Sequence, residues 1–99
     1  MKAEIPTPCP TVVIPPGAFV EDKHAARVLQ ETKIVPALLE CGRVKLDFIG
    51  VEYVTQGFIH ALLAEPMTQF GIERFEFLNC SVEVRAVIEL AVDFITLPE

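Results

Sequence analysis

Ninety-nine residues suffice for one hydrophobic core and not for two. Apolar residues make up 52% of the chain and charged residues 22%, which excludes a disordered segment. The net charge of −6, with no basic stripe, argues against direct nucleic-acid binding and against docking on anionic membrane surfaces.

The chain opens with a proline-rich arm, residues 1–18, in which Pro6, Pro8, Pro10, Pro15 and Pro16 each remove a backbone donor. Between them Thr11-Val12-Val13-Ile14 is β-branched and apolar and predicts a short strand, ended by Pro15-Pro16-Gly17. A helix is expected to start near Asp22, a capping residue, with Ala25, Val28, Leu29, Thr32, Val35 and Leu39 on its inner face. Pro36 should kink or split this helix, and Gly42 should stop it.

Arg43 to Ile49 reads as a second strand, with Val44, Leu46 and Phe48 on the buried face and Arg43, Lys45 and Asp47 on the polar one. Thr55 is the expected cap of the next helix, which turns Phe58, Ile59, Leu62 and Leu63 inward, with Met67 and Phe70 following. Pro66 is expected to limit its regular part to Thr55–Glu65. Arg74 to Leu78 alternates as a third strand. Asn79 or Ser81 then caps a last helix whose inner face is Val84, Val87, Ile88, Ala91 and Phe94, and Pro98 ends the chain. The order β-α-β-α-β-α predicts a single α/β domain overall, its body over residues 19–99 and its first short strand in the arm, with a small parallel or mixed sheet backed by helices.

Cys9, Cys41 and Cys80 are odd in number, widely spaced and free of any CxxC pair, which points away from zinc and from a disulfide scaffold and towards a reducing cytoplasm. The first residues lack an apolar signal core, in keeping with that compartment. A nucleophilic dyad of Cys41 or Cys80 with His24 or His60 is conceivable; small buried apolar thiols are the simpler reading. Asp47 with Glu52 offers paired carboxylates for acid–base work or magnesium. No phosphate-binding glycine motif accompanies them, and a strand-end carboxylate that accepts loop N–H bonds is the plainer role of Asp47. Thr55 is a plain N-cap or, if phosphorylated, a switch. No cofactor and no metal site is expected.

The run Leu46-Asp47-Phe48-Ile49-Gly50-Val51-Glu52-Tyr53-Val54-Thr55-Gln56-Gly57-Phe58, with Phe77-Leu78-Asn79 and Ser81 to Ile88, resembles the uncharacterised STAS-like domain family over about Phe19 to Ile95. That family looks related to the STAS domains of anti-sigma-factor antagonists. The resemblance implies a small α/β module without enzymatic activity that binds a protein partner, an ATPase-fold serine kinase in the relatives, under control of a loop serine next to an aspartate. Asp47 matches that aspartate. Thr55-Gln56-Gly57 stand where the serine loop would be, with Gln56 nearest the acceptor's place.

The expected function is therefore a protein–protein interaction module. Its partner-binding face is built from Glu52, Tyr53, Thr55, Gln56 and Phe58, with Asp47 and Thr55 as regulatory positions. Tyr53 offers amphipathic contact area and Glu52 a steering charge. The alternative is a small acidic, phage-type inhibitor that occupies a basic surface on a nucleic-acid machine; a third reading is a small enzyme or nucleotide binder using Asp47, Thr55 and Cys80. The surplus of apolar surface on so small a body predicts contact with a partner, a homodimer being one form of it.

Overall fold

The alternation of Val44, Leu46 and Phe48 with polar neighbours sets one face of a strand against a core, and that strand is the centre of the sheet. The structure, a computed structural model, describes residues 10–96; the expectations on Pro6, Pro8, Cys9 and Pro98 lie outside the described residues. Strands β1 (Thr11–Val13), β2 (Val44–Asp47) and β3 (Phe75–Leu78) pair in that order, and both pairings are parallel. In register, Val12 stands beside Leu46, and Leu46 beside Phe77. Val12, Ile14, Val44, Leu46, Phe48 and Phe75 are buried on this face. The opposite face carries Thr11, Val13 and Glu76 exposed to water and Lys45, Asp47 and Leu78 half-buried. The predicted α/β fold is the observed one, with a wholly parallel sheet.

The short strand expected within the proline-rich stretch is the edge strand of the sheet, Thr11–Val13. The Lys45 N–H donates to the Pro10 carbonyl and the Ile14 N–H to the Asp47 carbonyl, both at 2.9 Å.

Between β1 and β2 runs a composite helix: α1 (Lys23–Leu29), a π-helical turn (Gln30–Ile34) and α2 (Val35–Cys41). The Asp22 carboxylate caps it, accepting from the His24 and Ala25 N–H groups. Pro36 explains the wide turn. A proline ring collides with the carbonyl four residues back and has no N–H to offer it. Widening the preceding turn relieves this, and the Val35 N–H reaches the Gln30 carbonyl instead.

The wide turn also changes which residues face inward. Ala26, Gln30, Ile34 and Leu38 are buried, each four residues from the last. In a regular helix that spacing drifts about 40° per step, and the π turn takes up the drift. The expected inner face is corrected accordingly: Val28, Thr32 and Leu39 point to solvent and Ala25, Leu29 and Val35 are only half-buried. Gly42 ends α2 in the left-handed conformation, as expected.

Helix α3 (Gln56–Phe70) connects β2 to β3 by way of a 3-10 turn, Ile72–Arg74, and α4 (Val82–Thr96) follows β3. Helix α3 packs against α1 on one side and α4 on the other, so the helices form a layer with α3 in the middle. Its Phe58, Ile59, Leu62 and Leu63 are fully buried. The expected end at Glu65 is corrected. The helix continues through Pro66 to Phe70, because Pro66 and Met67 are themselves buried. Burying large apolar side chains at about 1.5–3 kcal/mol each offsets the roughly 3 kcal/mol that an internal proline costs. A second correction concerns α4, where Val84, Ile88 and Ala91 are buried as expected but Phe94 is 63% exposed.

Candidate functional site

Because all the strands run parallel, their carboxyl ends and the starts of α1, α3 and α4 share one rim of the domain. The loops there are 14–22, 48–55 and 79–81. The first two are zipped together beyond the sheet. The Gly17 N–H donates to the Gly50 carbonyl (3.1 Å), the Glu52 N–H to Gly17 (2.9 Å), the Val20 N–H to Tyr53 (2.8 Å) and the Thr55 N–H to Val20 (3.1 Å). Val51 and Val54 are buried between these bonds and peg the loop into the core.

Gly50 is required at its position. Its φ is +82°, and a Cβ there would stand 2.9 Å from Pro16 Cβ. The loop crosses its neighbour so closely that only a residue without a side chain passes.

Asp47 closes the rim from the other side. Its Oδ1 accepts from the Ile49 N–H at 3.0 Å and from Asn79 Nδ2 at 2.9 Å, while the Phe48 N–H donates to the Leu78 carbonyl. Asp47 therefore acts as the strand-end acceptor that holds two loops. Asn79 sits at φ 57°, a left-handed conformation that asparagine tolerates better than most side chains. Among the described residues no cluster of His, Cys, Asp and Glu is arranged to hold a metal ion, so Asp47 and Glu52 do not form a carboxylate pair with further ligands.

The proposed contact residues divide. Thr55 caps α3, its Oγ1 accepting from the Phe58 N–H at 3.1 Å. Glu52 and Gln56 are exposed, and Tyr53 is 41% exposed. Phe58 is corrected: its side chain is fully buried in the core, so it supports the loop from beneath and meets no partner.

The rim also contains residues not expected on the contact face. Phe19, 54% exposed, stacks on Tyr53 with ring centroids 5.3 Å apart and planes 5° from parallel. Ile49, 58% exposed, stands on the same loop as Tyr53. Ser81 Oγ accepts from the Val84 N–H (3.1 Å) as the cap of α4 and donates to the Glu52 carbonyl (3.4 Å), tying the third loop to the second. An aromatic residue just after a strand-ending Pro-Pro-Gly was the available signal for Phe19; its pairing with Tyr53 depends on the cross-loop register.

Cys80 lies on the β3 side of α4 in a small cleft of about 180 Å³, lined by Ile72, Phe77, Ile88 and Val92 with Glu89 and Asp93 at its edge. Burial pushes its thiol up; Arg85 draws it partly back, and the Asp47 carboxylate adds to the rise. The group is a neutral thiol, not a thiolate, at neutral pH. No histidine lines this cleft, and His60 lies elsewhere, against Phe94 in a groove with Lys23 and Arg27. The imagined pairing of Cys80 with a histidine is therefore not formed. The expected burial of Cys41 is corrected: it is exposed at the end of α2.

No family model, no curated protein and no solved structure matches the chain. Among the described residues no helix is long and apolar enough to cross a membrane.

Proposed function

We propose that this domain is a non-enzymatic, STAS-like protein–protein interaction module whose contact surface is the rim at the carboxyl end of its sheet. The observation that carries the reading is the exposed, stacked pair Phe19 and Tyr53, flanked by Ile49, on loops fixed by backbone bonds and buried valines. Stacked aromatics on a rigid loop present apolar area that loses little conformational freedom on binding. Glu52 and Gln56 at the margin add polar contacts and a steering charge.

The motif resemblance makes an ATPase-fold kinase the first partner to try. Thr55 is the regulatory position in this reading. A phosphate there would replace the cap on Phe58 with a dianion at a helix start, beside the contact residues. The free thiols Cys41 and Cys80 agree with a reducing, cytoplasmic setting.

The test is alanine at Tyr53 and at Phe19 in a binding assay with a candidate kinase. Each substitution should weaken binding by about tenfold or more; unchanged affinity removes the rim from consideration. Binding through an apolar rim tolerates salt, whereas steep salt dependence would favour the acidic-inhibitor reading, in which the charge of −6 occupies a basic surface.

A further inference from the structure

Helix α4 carries apolar residues on its outer side as well as its inner one. Val82, Ala86, Leu90 and Phe94 follow one another at intervals of four, and all are exposed; Leu90 and Phe94 are 61% and 63% accessible. Such a row is a ridge of the kind that interdigitates when two helices cross at about −50°. Ala86 in its middle permits close approach. A solvated helix has no need of a second apolar row, and a contiguous one marks a contact surface.

The flanks of the ridge differ in charge. On the α1 and α3 side, Phe94 borders a groove with Lys23, Arg27 and His60; Glu65 is the one carboxylate that lines the adjoining groove with Arg27 and His60, so two cations face one carboxylate on this flank. On the β3 side, Glu89 and Asp93 border the Cys80 cleft, with Arg85 one turn earlier. Basic and acidic flanks thus stand at the same height, beside the carboxyl-terminal half of α4.

We infer that this face binds a second copy of the chain, forming a two-fold dimer with its axis running along the Val82–Phe94 ridge, about 25° from the α4 axis. An axis in that direction sets each flank of one copy against the opposite flank of the other. Glu89 and Asp93 then meet Lys23 and Arg27 of the second copy twice over, and the ridges meet in the middle. An axis perpendicular to the helix would set acid against acid and is disfavoured. The occupant needed here is an amphipathic helix with acidic residues beside its apolar row, and α4 is itself such a helix. The basic flank reaches the margin of the rim at Gln56, but the substitutions that test the dimer leave Phe19 and Tyr53 in place, so the two readings fail separately.

The experiment is sedimentation equilibrium of the full chain over a concentration series. The wild type is expected to pass from monomer to dimer. Leu90→Glu should raise the dissociation constant by about 30-fold or more. Arg27→Glu should weaken the dimer, and adding Asp93→Arg to Arg27→Glu should restore it. All these side chains are exposed, and an unchanged melting curve for each monomer separates loss of association from loss of fold. A chain that stays monomeric at every concentration, a dimer indifferent to Leu90→Glu, or a charge swap that fails to restore association would each overturn the inference.

Discussion

The Asn79 side-chain amide donates to the Asp47 carboxylate at 2.9 Å, joining the end of β3 to the end of β2 across 32 residues of sequence. The same Asp47 oxygen accepts from the Ile49 N–H, so one carboxylate fixes the entry of the rim loop and its distance from the next loop. A hydrogen bond to a charged group contributes about 1.5–3 kcal/mol, discounted here because the pair is partly exposed. Asn79→Gly keeps the left-handed backbone and removes only this bond. It should lower unfolding free energy by about 1 kcal/mol, while Asn79→Ala loses more because alanine also resists that backbone. Denaturant unfolding of both variants checks the order.

Phe58 and Tyr53 lie close in sequence and differ in role. Phe58→Ala empties a fully buried site and should cost about 3–5 kcal/mol. Tyr53→Ala should cost less than about 1 kcal/mol, since its ring lies on the surface and loses only the stack on Phe19. Chemical denaturation distinguishes them; comparable losses would mean that the rim ring is a core element.

Gly50→Ala should destabilise the domain by about 1–3 kcal/mol, through positive φ and the approach of Pro16 together. Loosening should be local as well: hydrogen exchange at Gly17, Glu52, Val20 and Thr55 should speed up in this variant, because those N–H groups bridge the two loops.

The strands were legible in the sequence because Val44, Leu46 and Phe48 alternate and can be buried in only one register. Asp22, Thr55 and Ser81 were legible as caps because a side-chain oxygen before an apolar period has a short-range partner to satisfy. The misreadings come from longer-range effects. Pro36 announced a break, but the π turn that absorbs it shifted the buried face from Val28 and Leu39 to Gln30 and Ile34. Pro66 looked like a stop, yet packing on both sides carried the helix past it. Phe94 was placed on the inner period of α4 and still lies outside, because Ala91 and Ile95 take the inward positions of the last turns and the Phe94 ring lies against His60 at the edge of α3. At the rim, Glu52, Tyr53 and Gln56 were placed correctly as exposed, whereas Phe19 required knowledge of which loops lie side by side.

Thr55→Ala should cost about 0.5–2 kcal/mol by uncapping α3, and Thr55→Ser should be nearly neutral. Thr55→Asp keeps a good cap. It therefore isolates the regulatory question: thermal stability should hold while partner binding falls. Binding equal to wild type in a stably folded Thr55→Asp variant would remove Thr55 as a switch.

Cys80 should be alkylated more slowly than the exposed Cys41, with the difference erased in denaturant, as read by mass spectrometry of each site. The sign with pH follows from burial, which favours the neutral thiol in the folded state. The native state then holds its proton at pH values where the unfolded thiol has released it. The stability contributed is complete below the unfolded thiol's ordinary range and is lost as pH rises through the higher folded value. Cys80→Ala should flatten the alkaline fall in stability.

Quantitative affinity capture from the cells that make this protein, comparing the wild type with Phe19→Ala plus Tyr53→Ala and with the remote surface change Glu40→Ala, tests the rim most directly. A partner that is retained by the wild type and by Glu40→Ala but lost from the aromatic double variant is the predicted result. Equal recovery of that partner by all three proteins, each folded to the same melting temperature, would contradict it.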